Sequence, residues 1–148
     1  MNREIKFRAF IQSNKEMRKV ETIYLEDEYV SVYDGDFQLG NAIKIKNSDC
    51  ELMQFTGLKD KYSKEIYEGD VLKCYDYSAL DQDWNLDKIH IGVIEWTAPQ
   101  FSLKIPGKQI YDTPSVKQKA NDVFLDYWDN AEHVEVIGNI YENPELLN

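Results

Sequence analysis

Three closely spaced carboxylates, Glu65, Glu68 and Asp70, are the side chains best suited to chemistry in this 148-residue chain. Metal-dependent nucleases cleave phosphodiesters with carboxylates that converge on two Mg²⁺ ions ~4 Å apart, usually beside a lysine. The three acids surround Gly69 at a predicted turn, however, and that glycine accounts for the turn without a ligand. The Glu-x-Lys triplet at residues 4–6 has no Asp before it to complete a site. We therefore predict no catalytic residues and keep a metal-dependent nuclease as the second alternative function.

A second group of oxygen-bearing side chains recurs at every other position of an acidic segment, at Asp81, Asp83, Asn85 and Asp87. This spacing resembles the first four ligands of an EF-hand calcium loop. Leu86, however, stands where the sharp turn requires glycine, and Gly92 stands where the bidentate glutamate should be. We interpret the segment as a solvated acidic loop, with a cation site as the alternative, and we predict neither a metal nor another cofactor.

The histidines and cysteines do not form a familiar catalytic or metal-binding pattern. His90 alternates with isoleucines in a predicted strand and His133 precedes the last strand, so neither has the spacing of a zinc-binding helix. Cys50 and Cys74 stand alone, and we predict reduced, partly buried thiols. The chain has no G-x-S-x-G, Walker A or G-x-G-x-x-G motif. Together these observations predict a protein that is not an enzyme.

The distribution of charge limits the partners. The chain has 17 Lys and Arg against 27 Asp and Glu, and a formal net charge of −10 argues against a general phosphate-binding surface. Residues 1–19 nevertheless carry a net charge of +4, and the remainder carries −14. Direct nucleic-acid binding is therefore unexpected, while a local contact stays open through Lys6, Arg8, Arg18 and Lys19. The opposite charges also predict a homo-oligomer with complementary surfaces.

Aromatic residues make up 13% of the chain, which supplies enough apolar surface to exclude a disordered acidic tail. Several rings could stack bases in a single-strand binder, namely Tyr24, Tyr29, Tyr33, Tyr75, Tyr77, Trp84, Trp96 and Trp128. Phosphates would need lysines and arginines beside those rings, and the second half of the chain is acidic. We therefore assign most of the rings to core packing and subunit interfaces.

The first half of the chain has the period of two that is typical of half-buried strands. Charged residues alternate with apolar ones at Ile5, Phe7, Ala9 and Ile11. After a turn at residues 13–16, further strands are predicted at residues 19–25, 29–33 and 42–46, with an apolar run at residues 51–58. We predict that residues 1–56 form an N-terminal β subdomain.

The second half, after a polar stretch at residues 59–64, has the same short strands and tight turns. Strands are predicted at residues 71–75, 89–96, 101–105 and 133–142, and an acidic loop at residues 76–88. Apolar spacing after Pro114 favours one short helix at residues 114–128, with a strand as the alternative. The pattern predicts a mainly β protein, α+β at most, with antiparallel strands and an SH3-like small barrel at residues 57–148.

We expect no export signal at the beginning of the chain. No apolar run of ~7–15 residues follows its basic residues, and no segment approaches the ~18 apolar residues of a membrane span. We therefore expect a cytoplasmic protein without a membrane partner.

Four sequence blocks form a recognisable pattern: residues 3–10 (REIKFRAF), 53–61 (MQFTGLKDK), 64–71 (KEIYEGDV) and 135–147 (EVIGNIYENPELL). Together they resemble the YopX family of bacteriophage and prophage proteins, and residues 92–96 and 101–103 resemble its central hairpin. The resemblance implies a phage-encoded protein with an unassigned biochemical role and no agreed catalytic residues.

The function we predict is that of a phage or prophage accessory protein that acts by binding or assembly. Its expected partners are further copies of the chain and a host or phage protein. The first alternative is an acidic protein that imitates nucleic acid and binds a host nucleic-acid-handling protein.

Overall fold

The computed structural model describes residues 4–34, 41–77, 84–97, 100–104 and 134–147. Within them the chain forms ten strands: β1 (Phe7–Ile11), β2 (Glu16–Tyr24), β3 (Tyr29–Tyr33), β4 (Ala42–Lys46), β5 (Cys50–Lys59), β6 (Glu65–Tyr67), β7 (Asp70–Tyr77), β8 (Trp84–Thr97), β9 (Gln100–Lys104) and β10 (Val134–Asn139). Short 3₁₀ helices lie at Asn47–Asp49 and Pro144–Leu147. The strand pairs in register are antiparallel, so the prediction of a mainly β, antiparallel protein is confirmed.

The chain divides into two compact units, Met1–Gly57 and Leu58–Asn148. One sheet has the strand order β4-β3-β2-β1-β5-β6, and the other has the order β10-β7-β8-β9. Strands β1 to β4 and most of β5 belong to the first unit, and the remaining strands belong to the second. Each unit has its own buried apolar cluster.

The core of the first unit lies on one face of its sheet. Ala9 in β1 and Val30 in β3 are fully buried, with exposed fractions of 0%. They pack in one cluster with other apolar residues of the same face, which include Ile11, Val32, Cys50, Val20, Ile23, Ile45 and Leu52. Because successive side chains of a strand point to opposite faces, the intervening residues of these strands lie on the other face.

A β-bulge in β2 changes the phase of its side chains. Val20 and Thr22 pair with consecutive residues of β3, Val32 and Ser31, so Glu21 is the extra residue. Val20, before the bulge, and Ile23, after it, are three positions apart and therefore both face the core. A strict period of two along β2 would have placed them on opposite faces.

The second unit packs its core against its four-stranded sheet. The cluster comprises Ile66, Leu72, Cys74, Ile94, Phe101, Val134 and Val136, with Leu58 and Leu103 packed against it. Strand β7 lies between β10 and β8, and β9 pairs with the far side of β8. Among the residues that the structure describes, no strand pairing closes this sheet, so the predicted SH3-like barrel is not confirmed.

The prediction of an acidic loop at residues 76–88 is wrong at both ends, where residues 76–77 and 84–88 lie in strands. Strand β7 continues to Tyr77, β8 begins at Trp84, and these two residues pair. Asn85 and Asp87 therefore lie in β8. Polar residues can extend a strand, because the hydrogen bonds between strands are made by backbone groups and not by side chains. Asp81 and Asp83 lie outside the described residues.

Of the other predictions, some can be compared with the described residues and one cannot. The strands predicted at residues 29–33 and 42–46 have those bounds. The helix predicted at residues 114–128 lies outside the described residues. In the described part of the chain, no helix has the length and apolar character needed to cross a membrane.

Candidate functional site

The face of β1 to β4 that lies opposite the buried core carries most of the cations of the first unit. We call it the cationic face. It comprises five basic residues and three tyrosines, Lys6, Arg8, Lys19, Lys44, Lys46, Tyr24, Tyr29 and Tyr33. Within strands β1 to β4, Glu21 is the one acidic residue whose side chain reaches this face, where it accepts a hydrogen bond from Ser31 Oγ at 3.0 Å. Lys6, which precedes β1, forms an ion pair with Glu4 at 2.9 Å.

The bulge in β2 assembles this face. Lys19 precedes Val20, which packs in the core, so Lys19 points away from the core. Tyr24 lies directly opposite Tyr29, and both alternate with core residues of their strands. With an uninterrupted period of two, Lys19 and Tyr24 would lie on opposite faces. Because Glu21 is an extra residue in the strand, the two side chains lie on the same face.

Lysines of the edge strand β4 lie beside the tyrosines. The Nζ atom of Lys44 is 5.0 Å from the centre of the Tyr24 ring, within the range of a cation–π interaction. Lys46 is directly opposite Tyr29. Both lysines are exposed, and 36% of Tyr24 is exposed. Lysines and tyrosines thus lie side by side on three neighbouring strands, with Tyr24 exposed and Tyr29 half-buried.

Two like charges face each other between β1 and β2, because Arg8 pairs directly with Lys19. Phe55 N donates to Lys6 O at 2.9 Å, so the even-numbered residues of β1 bond toward β5. Arg8 and Lys19 therefore form a non-hydrogen-bonded pair, whose Cα atoms lie about 4.5 Å apart in an antiparallel ladder. Directly opposed like charges destabilise a sheet unless neighbouring groups offset them.

Arg18 lies on the other side of the sheet from the cationic face. It pairs with Ala9 of the core face, and its guanidinium contacts Glu16 and, at 3.9 Å, Asp34. It also donates to Tyr33 O at 3.5 Å. Of the four basic residues singled out in the sequence, the structure therefore brings three together and separates Arg18 from them.

The three carboxylates singled out for catalysis lie around the β6–β7 turn. Asp70 is 1% exposed and accepts a hydrogen bond from Tyr67 N at 2.8 Å. Glu65 accepts from the hydroxyl of the same tyrosine at 2.8 Å. Glu68 precedes Gly69, which has a φ of +76° and whose N–H bonds Ile94 O at 2.8 Å. Two of the three acids thus hold local structure.

Sequence reasoning did not single out Asp60, which is a buried carboxylate of the second unit. It is 4% exposed, and its Oδ1 accepts from the backbone N–H groups of Tyr62 and Lys64 at 2.8 and 2.9 Å. Its Oδ2 accepts from Val136 N in β10 at 3.0 Å. The carboxylate fixes the loop after β5 and ties it to β10. An acid in a polar loop has no sequence signal for such contacts.

Lys61 and Glu135 make a second link between this loop and β10, at 2.8 Å. The hydrogen bond to Glu135 is the largest cause of a raised pKa for the Lys61 ammonium. The same Nζ lies 4.9 Å from the centre of the exposed Tyr62 ring. The lysine therefore remains protonated at physiological pH and holds the loop at the sheet edge.

The last sequence block folds around Asn139. This residue is 5% exposed, and its Oδ1 accepts from Tyr141 N and Glu142 N at 3.0 and 2.9 Å. A Cβ atom at Gly138 would lie 2.6 Å from Asn143 Oδ1, so the turn packs closely on β10. Residues of three sequence blocks thus converge in the second unit, and their polar groups serve the backbone.

Both cysteines are free and buried, one in each unit. Burial raises the pKa of the Cys74 thiol to about 12. The pKa of Cys50 is also raised, first by burial and then by the neighbouring charges of Glu51 and Asp49. Both environments disfavour the thiolate, which is the reactive form of cysteine.

The remaining candidates of the sequence are dispersed. Trp96 lies on β8 and packs edge-on against Phe101, with ring centres 4.9 Å apart. His133 and Trp128 lie outside the described residues. Among the described residues, no group of three or more His, Cys, Asp and Glu side chains could hold a metal ion.

Comparisons with known proteins establish a family and a fold. The crystal structure of protein EF1440 from Enterococcus faecalis is similar, with a TM-score of 0.57 and 24% sequence identity over 99% of this chain and 100% of that one. This likeness shows the fold alone. No curated protein matches the chain. The family model described as YopX protein matches residues 6–148, and the chain therefore belongs to the YopX family.

Proposed function

We propose that this chain is a phage- or prophage-encoded accessory protein that acts by binding an acidic partner rather than by catalysis. The carboxylates most suited to catalysis support this proposal. Asp70 is buried and accepts a hydrogen bond from Tyr67 N, and Glu65 accepts one from the Tyr67 hydroxyl. Groups held in this way are positioned for stability rather than for a substrate.

The cationic face carries the proposal. Five basic residues share one side of a sheet in a chain whose net charge is −10. The first unit has a net charge of −2 and the second −8, so the basic residues are concentrated on one face of the less acidic unit. A local concentration of cations attracts an acidic partner even when the whole protein is acidic.

Chromatography on immobilised heparin, a polyanion without bases, tests this proposal. We expect retention at about 50 mM salt and elution as the salt concentration rises, because screening weakens contacts between exposed charges. The double variant Lys44→Gln/Lys46→Gln should elute at lower salt than the wild type. Lys59→Gln/Lys64→Gln removes two exposed lysines of the second unit and is the matched control. Equal elution of the two variants would contradict the proposal.

The charge of the second unit supports a second candidate function. A net charge of −8 would suit a protein that binds a basic host nucleic-acid-handling protein by imitating nucleic acid. Binding of such a partner should then be lost when acidic residues of the second unit are neutralised, and should be unaffected by changes to Lys44 and Lys46. The two candidates therefore differ in which unit carries the effect.

We also propose a cytoplasmic location. Cys50 and Cys74 are free thiols, and disulfides are rare in reducing compartments. Fractionation of cells that express the chain, followed by detection of the protein in each fraction, measures its location directly.

A further inference from the structure

Building on the proposed binding function, we infer that the cationic face binds single-stranded nucleic acid. In this arrangement bases stack on Tyr24 and Tyr29, and phosphates contact Lys19, Lys44 and Lys46. These residues lie on strands β2, β3 and β4 of the first unit. Stacking on the rings would add a contribution to binding that heparin, which has no bases, does not show.

The two tyrosines form a stacking platform. Tyr24 and Tyr29 are directly opposite one another on neighbouring strands, which lie about 4.8 Å apart. A ring of this kind stacks with any base because every base has a π face. The ammonium of Lys44 already lies over the Tyr24 ring, at 5.0 Å from its centre. A stacking base would take that place, and the displaced lysine would remain close enough to contact a phosphate.

Lysines border the platform on two sides. Lys46 pairs with Tyr29 on the edge strand, and Lys44 is two residues before it on the same face. Lys19 lies farther along β2, beside Arg8. All three lysines are exposed. A strand of nucleic acid that crosses the sheet could therefore place bases on the rings and phosphates at the lysines on either side.

Acidic residues define where the ligand ends. The β2–β3 turn carries Glu26, Asp27 and Glu28 and lies directly beyond Tyr24 and Tyr29. Phosphates are repelled from this turn, so the strand should run from the rings toward Lys19 and not over the turn. Neutralising the turn should therefore strengthen binding, which is an effect opposite to that of neutralising a lysine.

The combination of rings and lysines distinguishes nucleic acid from an acidic protein. Carboxylates of an acidic segment can pair with the lysines, but they gain nothing specific from an exposed aromatic face. Bases gain stacking energy on each ring in addition to the phosphate contacts. Removing a ring should therefore weaken binding of nucleic acid and leave binding of an acidic peptide almost unchanged.

Fluorescence anisotropy with labelled probes tests the inference on the full chain. The probes are oligo(dT) of about 12 nucleotides, which is within the usual site sizes, an abasic strand with the same number of phosphates, and an oligo-glutamate of equal charge. We expect oligo(dT) to bind at least ~5-fold more tightly than the abasic strand, because stacking contributes at that level or above for each base. With three lysine contacts, the slope of log K against log salt should be about −2.

Variants separate the two kinds of contact. Tyr24→Ala and Tyr24→Leu should each weaken oligo(dT) at least ~5-fold and leave the abasic strand unchanged. Lys44→Gln/Lys46→Gln should weaken both strands and make the salt slope less negative by about 1.4. Glu26→Gln/Asp27→Asn should strengthen both. The control Lys59→Gln/Lys64→Gln should match the wild type, and circular dichroism shows whether each variant is folded.

Three outcomes would overturn the inference. Equal binding of oligo(dT) and the abasic strand, with no effect of Tyr24 substitution, would show a general polyanion site without stacking. Tighter binding of oligo-glutamate would indicate an acidic protein, or a second copy of this chain, as the ligand. In both cases the proposed binding function would stand. Absence of binding to every probe, together with absence of retention on heparin, would contradict the proposed function as well.

Discussion

Asp60 accepts three backbone hydrogen bonds from a buried position, and its substitution should destabilise the second unit. Asp60→Asn keeps one acceptor oxygen but places an amide N–H₂ against one of the N–H groups. A buried donor left without an acceptor costs about 1–3 kcal/mol of the free energy of unfolding. Urea denaturation followed by tryptophan fluorescence measures this loss, because all three tryptophans lie in the second unit.

The control for this substitution is Glu145→Gln, which changes an exposed carboxylate of the same unit. Substitution of exposed residues usually changes stability by less than about 0.5 kcal/mol. Equal urea midpoints for Asp60→Asn and Glu145→Gln would contradict the role assigned to Asp60.

The Cys74 thiol should resist alkylation in the folded protein. It is 3% exposed, and burial raises its pKa to about 12, so very little thiolate is present at pH 8. Labelling with iodoacetamide, followed by mass spectrometry of the peptide that contains Cys74, should detect modification in urea and little without it. Rapid labelling of Cys74 in the native protein would contradict this expectation.

The same thiol makes stability depend on pH in the alkaline range. The unfolded thiol loses its proton above its ordinary pKa of 9.0, while the folded one keeps its proton until about 12. Between these values the unfolded state binds fewer protons, so the free energy of unfolding falls as the pH rises. A Cys74→Ala variant should show a weaker decrease over this range in urea denaturation. An unchanged slope would exclude the thiol as a cause.

At the scale of strands, the bulge at Glu21 determines which side chains of β2 face the core. Deleting Glu21 would remove the extra residue, so Thr22, Ile23 and Tyr24 would keep their partners in β3 and their faces. Inserting an alanine between Thr22 and Ile23 would instead direct Ile23 toward solvent and Tyr24 toward the core. We therefore expect the insertion to unfold the first unit and the deletion to leave it folded. Limited proteolysis with mass spectrometry of cleavage sites in residues 16–24 measures the difference. Equal protection of the two variants would show that the phase of β2 does not determine the core.

Alternation in the sequence was sufficient to predict most strands and to place them in an antiparallel fold. Ala9 and Ile11 lie in the core of β1, as the period of two indicated. The cationic face was not predicted, because Lys19 and Tyr24 share a face only after a bulge residue shifts the phase. Sequence reasoning also placed residues 76–88 in a loop, since polar residues in a ladder have no apolar alternation to mark them.

At the scale of the whole chain, net charge concealed the distribution of cations. The value of −10 argued against contacts with nucleic acid, yet the first unit carries only −2 and places five of its basic residues on one face. Asp60 and Asn139, which hold loops through backbone bonds, could not be recognised as structural from sequence because their partners are main-chain N–H groups, which any residue type supplies. The blocks that identify the family include both residues.

The homo-oligomer inferred from charge stays a prediction. If the cationic face of one copy binds the acidic second unit of another, light scattering should give a mass above 17.4 kDa at low salt and close to that value at high salt. Oligo(dT) should lower the mass, because it competes for the same lysines. A mass of one chain at every salt concentration would contradict the prediction.

The loop that begins at Asp60 also has a consequence for aggregation. Strand β10 is the outer strand of its sheet, but two of its outer backbone groups are already bonded: Val136 N to Asp60 Oδ2 at 3.0 Å, and Val134 O to Lys61 N at 3.1 Å. An exposed edge with unpaired backbone groups recruits strands from other molecules. The loop therefore hinders the pairing of β10 with strands of other molecules. Substitutions that disorder the loop should first lower the solubility of the protein while its sheets are still formed.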